Sequence, residues 1–212
     1  MAAARSLVTP TSNPALERAL REKLARRQEP GGALGELEPL AVRIGLMQNT
    51  LKPRLRDPQL MIFAADHGVA VDGVDTVPGM RPRSTSETVR KIITNKLPLT
   101  VFAGTQMMQV TVVDCGMADE PPVHDGLLLR KIAHGTRNTR VTMAMSLDQA
   151  HAAMRAGMEI GDKLRGNATV LAGVGVGAHE SAALVLARLT DSPVRDLVIS
   201  GPDMDTGRLT HL

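Results

Sequence analysis

The sequence predicts an α/β domain built on a mostly parallel sheet flanked by helices, with a helical segment ahead of it. Three short and largely apolar runs, Leu60–Ala65, Gln109–Asp114 and Ala168–Gly173, are each closed by a polar or glycine turn. Strands covered on both faces of a parallel sheet read as continuous apolar runs rather than alternating ones. Helical stretches separate the second run from the third and follow the third, which is the rhythm of strand–helix–strand units.

Along the chain, residues 1–14 carry two prolines and small polar residues and are expected to be a disordered N-terminus. Residues 15–58 form the expected helical segment. Leu16, Leu20 and Leu24 recur every fourth residue from Pro14 to about Arg27, and Glu29-Pro-Gly-Gly stops that helix. Leu37, Leu40, Ala41 and Ile44 mark a second helix over Leu37–Met47, and Lys52–Pro58 is a connector rich in Pro and Arg. Residues 59–212 make up the α/β domain, expected to be truncated relative to a complete one. Its best helix runs from Ser146 to about Leu164. Ser146 and Gln149 spell a capping box, Leu147, Ala150, Met154 and Met158 trace an apolar face, and Glu159 and Lys163 form an i,i+4 pair. Another helix is predicted from Ala178 to about Leu189.

Composition narrows the function classes. Of 212 residues, two are Phe and none is Tyr or Trp, which removes the aromatic platforms on which single-strand nucleic-acid binders stack bases. The core must be filled by aliphatic residues and by the 12 Met, which pack adaptably. Net charge is only +3, with basic clusters confined to Arg5–Arg27 and Arg130–Arg140, so no nucleic-acid partner is expected. A single Cys115 excludes an intrachain disulfide and points to a reducing compartment, the cytoplasm. No apolar run approaches the roughly 20 residues of a membrane span, so no membrane partner is expected.

Ligands of open parallel sheets sit beyond the carboxyl ends of the strands. Here those ends read Asp66-His67-Gly68, Asp114-Cys115-Gly116 and Gly173-Val-Gly-Val-Gly177. The third runs directly into a helix, where glycines admit an anion to the backbone and the helix start offers free N–H groups. Phosphate binding and a tight packing turn are both open readings of that loop. Gly173-x-Gly175-x-x-Ala178, with Asp196 downstream, also matches a dinucleotide fingerprint, although that fingerprint normally opens a domain. A Walker lysine is absent, which excludes P-loop chemistry. His67 beside Asp66 reads as an acid/base pair, a metal ligand, or a half-exposed neighbour of a turn-capping Asp. The six histidines show no metal-binding spacing, so no metal is expected. His134-Gly-Thr-Arg-Asn138 is a polar turn that either holds a substrate or only connects elements.

Taken in order, these motifs resemble one family. Pro30-Gly-Gly-Ala-Leu-Gly-Glu-Leu-Glu-Pro-Leu-Ala, Phe63-Ala-Ala-Asp-His-Gly-Val-Ala-Val-Asp-Gly-Val followed by Pro78, Val112-Val-Asp-Cys-Gly-Met and Gly135-Thr-Arg-Asn138 lie in its sequence, with Met145-Ser-Leu-Asp-Gln-Ala and Ala156-Gly-Met-Glu-Ile after them. The family is that of the nicotinate-nucleotide:5,6-dimethylbenzimidazole phosphoribosyltransferases, and the resemblance runs from about Asn13 to Leu212. It implies a Rossmann-like sheet and a smaller helical part. It also implies transfer of phosphoribosyl from nicotinate mononucleotide to 5,6-dimethylbenzimidazole, yielding α-ribazole phosphate for the cobalamin lower ligand. No metal or organic cofactor is implied, and the family's chains are homodimers.

The resemblance places nucleotide and phosphate contacts at Gly173, Gly175, Gly177, Ala178, His179, Gly201 and Arg208, and base contacts at Asp66, His67, Gly79 and Asn138. The family's strand-to-helix motif reads G-E-x-G-x-x-N-T-T. Its Glu is Gly173 here, its Asn is Ala178, and its two Thr are His179 and Glu180. A family serine facing the base falls at Gly79, and a basic phosphate contact falls at Leu212, with Arg208 one turn back. The family's general-base Glu lies beyond the position of Leu212. The expectation is therefore a phosphoribosyltransferase relative that alone is inactive or impaired, or else a non-catalytic base- or nucleotide-binding relative that pairs with a complete homologue. An unrelated nucleotide-binding α/β domain is the third reading.

Overall fold

A computed structural model describes residues 9–26, 34–72 and 84–197. The chain divides into two compact units, Met1–Leu55 and Arg56–Leu212.

In the first unit, α1 (Pro14–Ala25) starts where the Asn13 side chain accepts the Leu16 amide at 3.1 Å, with Pro14 at the first helical position. Leu20 is buried on α1, and Val42 and Gly45 are buried on α2 (Leu37–Met47). An added Cβ at Gly45 would lie 2.7 Å from both Leu20 methyls, so the small residue lets the two helices close on Leu20.

The second unit is built on four parallel strands in the order β3-β2-β1-β4. They are β1 (Gln59–Ala65), β2 (Gln109–Gly116), β3 (Leu127–Leu129) and β4 (Thr169–Val174). Leu60 pairs with Val110 on one side and Val170 on the other, so β1 is central and the three predicted strands are neighbours in parallel. Both faces of β1 and β2 are covered, which is why their sequences show no alternation. Leu60, Ile62, Ala64 and Val112 pack against Val89 and Ile92 of α3 (Thr85–Ile93) and Ala103 of α4 (Pro98–Thr105). On the opposite face, Met61 and Val113 pack against Ile160 of α5 (Leu147–Gly161). After β4 come α6 (Ala178–Thr190) and the short α7 (Val194–Leu197).

The capping box of α5 is formed as expected: Gln149 N donates to Ser146 Oγ at 3.2 Å and Ser146 N to Gln149 Oε1 at 2.8 Å. Two expectations for that helix need correction. It ends at Gly161, leaving Lys163 outside it, and no Glu159–Lys163 ion pair forms among the described residues. The face through Leu147, Met154 and Met158 is turned outward, at 71%, 66% and 63% exposure. The sheet instead receives Ile160, with Ala152 and Ala156 half-buried on the same stripe. Strand β3, helices α3 and α4, and a 3-10 turn over Gly68–Asp72 were not anticipated from the sequence.

Candidate functional site

The order β3-β2-β1-β4 reverses direction between β1 and β4, so the segments leaving these two strands part and open a cleft at their carboxyl ends. Asp66 closes β1 and ties the cleft together. Its Oδ1 accepts the Thr85 hydroxyl from the start of α3 and the Val176 amide at 3.1 Å from the loop after β4. Its Oδ2 accepts the Ala118 amide at 2.7 Å from the segment after β2. The main chain adds to the clamp: Asp66 N donates to Gly116 O, and Asp66 O accepts Thr136 N, both at 3.0 Å. Every part of this carboxylate is engaged by the protein itself.

His67 follows, its amide donating to Val176 O at 2.9 Å, and the Gly68 amide donates to Thr136 Oγ1 at 3.2 Å. A Cβ at Gly68 would stand 2.5 Å from both Arg137 C and Asn138 N, so the Asn138 turn lies directly on β1's exit. Asn138 turns its Oδ1 to the Arg140 amide at 3.0 Å. The glycine loop after β4 is pressed against the same exit. A Cβ at Gly175 would lie 1.5 Å from Ala65 O, which only glycine permits. Gly177, at φ +74°, is the left-handed N-cap of α6, and a Cβ added there would lie 3.2 Å from the Cβ of His67. Gly173, by contrast, has open space where a side chain would project. The structure thus brings together Asp66, His67, Asn138 and the Gly173–Gly177 loop with Ala178 and His179. Gly79, Gly201 and Arg208 lie outside the described residues.

The second strand end, already joined to Asp66, is also held by a carboxylate of its own. Buried Asp114 accepts the Gly116 and Met117 amides at 3.0 and 2.9 Å, and Lys131 Nζ stands 3.5 Å from its other oxygen. That lysine also donates to Met117 O at 2.7 Å, so it straps the chain after β3 to the end of β2.

Two open hollows adjoin the clamp. One, of about 500 Å³, lies between Ser84, the N-cap of α3, with Thr85 and Thr88 in that helix, and Gly173, Val176 and His179. The starts of α3 and α6 both border it, so hydroxyls and helix N-termini face the same space, an arrangement that suits an anionic group. The other, of about 570 Å³, is bordered by Asp66, His67, Ser84, Asp119, His134 and Val176. Behind His67 a tighter, mainly apolar pocket of about 130 Å³ is lined by Ala65, Cys115, Ile132, Ala133, Met145 and Ala153.

Burial lowers the His67 pKa below its ordinary value of 6.5, only partly opposed by the charges of Asp66 and Glu180. The imidazole is therefore neutral near pH 7 and able to accept a proton. Burial, reinforced by Asp114, pushes the Cys115 thiol up to about 11 and keeps it protonated. Glu180, in the first turn of α6, is 4% exposed, and its Oε2 has no hydrogen-bond partner among the described residues. Sequence reasoning placed Glu180 inside the helix but missed its burial, and missed Ser84, Thr85 and Thr88 altogether. The one available signal was Ser84-Thr-Ser-Glu87, a capping-box pattern, in which the Glu87 amide donates to Ser84 Oγ at 3.2 Å. Among the described residues, no group of three or more His, Cys, Asp or Glu could hold a metal ion. No described helix is long and apolar enough to cross a membrane.

A doubly wound α/β protein with its cleft at the switch point between β1 and β4 is thus the class that fold and site define. A family profile described as phosphoribosyltransferase matches residues 9–211. The nicotinate-nucleotide–dimethylbenzimidazole phosphoribosyltransferase of Janthinobacterium sp. (strain Marseille) is 32% identical over 204 residues, covering 96% of this chain and 58% of that protein. The enzyme of the same name from Variovorax paradoxus (strain S110) is 36% identical over 197 residues, covering 93% and 56%. The crystal structure of the enzyme of that name from Thermus thermophilus superposes with a TM-score of 0.76 at 29% identity, covering 94% of this chain and 59% of that one. The chain belongs to the nicotinate-nucleotide–dimethylbenzimidazole phosphoribosyltransferase family, and spans less than two thirds of the length of these relatives.

Proposed function

We propose that this chain supplies the nucleotide- and base-holding cleft for transfer of phosphoribosyl from nicotinate mononucleotide to 5,6-dimethylbenzimidazole, the step that forms α-ribazole phosphate for cobalamin. The observation that carries the reading is the meeting of Asp66-His67-Gly68, Asn138 and Gly173–Gly177 at the switch point, in a chain of this family. In this reading the phosphate lies against the loop from Gly173 through Gly175 and Gly177 to Ala178 and His179, with Ser84 and Thr88 opposite. The base lies by His67 and Asn138, with Asp66 holding the walls in register. Neither a metal nor an organic cofactor is called for, and the setting is cytoplasmic.

Expelling nicotinate from C1 of the ribose requires the incoming base to lose its N–H proton while its other nitrogen attacks. A positioned proton acceptor contributes about 10²–10⁴ in rate to such a step. Gly173 stands where the family's motif carries Glu, so this chain alone is impaired and gains activity by pairing with a second copy or a longer homologue. The outward stripe of Leu147, Met154 and Met158 supports pairing. The open space at Gly173 favours a second reading, a non-catalytic subunit that binds base or nucleotide for a complete homologue.

The test is the purified chain with nicotinate mononucleotide and 5,6-dimethylbenzimidazole, following nicotinate release by chromatography. Slow or absent release is expected. Turnover near about 10 s⁻¹, the median for enzymes, would overturn the impaired reading. Release that appears only after adding a longer homologue supports the subunit reading. Failure of calorimetry to detect either ligand, with or without that homologue, would sink both.

A further inference from the structure

The two larger hollows beside the clamp meet at one ridge. The hollow of about 500 Å³ and that of about 570 Å³ are both bordered by Ser84, Thr85 and Val176. On one side of the ridge stand Gly173, Ala178 and His179, and on the other His67, Asp119 and His134. Thr85, the first residue of α3, is 4% exposed, and its hydroxyl is engaged in both directions. It donates to Asp66 Oδ1, and its oxygen accepts the Val176 amide at 3.1 Å. That amide also reaches Asp66 Oδ1 at 3.1 Å, so carboxylate, hydroxyl and amide close a ring that joins β1, α3 and the loop after β4. Donating and accepting at once fixes the direction of the hydroxyl, and a buried network whose members are satisfied holds one arrangement. Ser84 spends its oxygen on the Glu87 amide of its own helix. Of these two residues at the start of α3, it is Thr85 that reaches across the ridge.

We propose that Thr85 is a positioning residue for the base exchange: by pinning Val176 to the start of α3, it sets how closely a nucleotide in one hollow and a base in the other can approach. This rests on the reading of the cleft as a base-exchange site. Transfer joins a nitrogen of the base to C1 of the ribose, and reacting atoms must first stand about 3–3.5 Å apart. With the phosphate on the Gly173 side and the base on the His67 side, that approach falls over Thr85 and Val176. A misplacement of about 1 Å there is enough to cost about 10²-fold in rate. Thr85 acts through the wall it holds and needs no contact with a reacting atom.

Ligands held in contact do not bind independently, and each changes the affinity of the other by the same factor. Calorimetry of the whole chain with nicotinate mononucleotide and 5,6-dimethylbenzimidazole, each titrated with and without the other, measures that factor. The parent should show about fivefold or more. Thr85→Val keeps the shape and removes the hydroxyl, so the factor should fall to near one while each ligand alone binds as it does to the parent. Thr85→Ser keeps the hydroxyl and should keep the factor. A role in packing alone would instead change the single affinities and would not be rescued by serine. Independent binding in the parent, or a factor that survives Thr85→Val, overturns the assignment. Should Thr85→Val not fold, Thr85→Ala is read in the same way, and the parent still decides. With both ligands bound to it, nuclear Overhauser effects must link the anomeric proton of the ribose to the base, and their absence overturns the assignment. Failure of either ligand to bind the parent removes the base-exchange reading itself, a result distinct from binding without coupling.

Discussion

The carboxylate of Asp66 accepts the amide of Val176 at 3.1 Å across 110 residues of sequence, joining the end of β1 to the glycine loop after β4. The same carboxylate gathers Thr85 and Ala118, so one side chain fixes the mutual position of three segments around the cleft.

Asp66→Ala should accordingly cost about 3 kcal/mol, since hydrogen bonds to a charged group contribute about 1.5–3 kcal/mol each and their donors are left unsatisfied. Denaturant unfolding measures the loss. Hydrogen exchange should show faster exchange at Val176 and Ala118 than in α1. Unchanged protection at both amides would show that the clamp is dispensable.

The two ends of the glycine loop should respond differently. Gly175→Ala puts a methyl 1.5 Å from Ala65 O, and the backbone must move. The expected loss is about 4 kcal/mol, in the range reserved for severe steric conflict. Gly173 faces open space, so Gly173→Ala should stay within about 0.5 kcal/mol of the parent. Gly173→Glu should fold equally well and restore the family's carboxylate. Nicotinate release from nicotinate mononucleotide and 5,6-dimethylbenzimidazole should then be faster than with the parent chain.

Cys115 should resist alkylation. With its thiol pushed up to about 11 from 9.0, the thiolate fraction at pH 8 is about a hundredth of that of an unperturbed thiol. Iodoacetamide labelling of the native chain should be correspondingly slow and should quicken about tenfold per pH unit. Because burial favours the protonated form in the folded state, its contribution to stability is complete below pH 9 and is lost as pH rises from 9 through about 11. Labelling at the free-thiol rate at pH 8 would contradict the burial assigned to this residue.

Met154→Glu with Met158→Glu should weaken self-association while leaving the melting temperature within about 2 °C, because both side chains are mostly exposed. Sedimentation of parent and variant at matched concentrations reads the difference. A parent that is monomeric at micromolar concentration would remove the self-pairing arm of the proposed function.

Much of the fold was legible in the residues themselves. Leu60–Ala65 and its two partner runs declare strands because a strand covered on both faces has no polar side to show. The start of α5 is spelled by Ser146 and Gln149, and that of α6 by the glycine loop before it. Elements whose cues are short or mixed were not legible: Leu127–Leu129 offers three leucines to a strand that exists only because β2 lies alongside it. The strand-end motifs likewise marked segments that meet in the fold, since glycines at a strand exit encode backbone constraints that local chemistry can express.

What the sequence by itself determined, then, is the set of elements and the loops that leave them, because periodicity, capping and glycine act within a few residues. Tertiary structure alone decided which stripe of α5 meets the sheet, for Met154 and Ile160 are both apolar and only the space against Met61 and Val113 distinguishes them. It alone decided that Asp66 would be engaged by Val176 and that Glu180 would be buried. Contacts across 110 residues depend on how the strands are ordered, and strand order follows from how all the apolar faces are covered together.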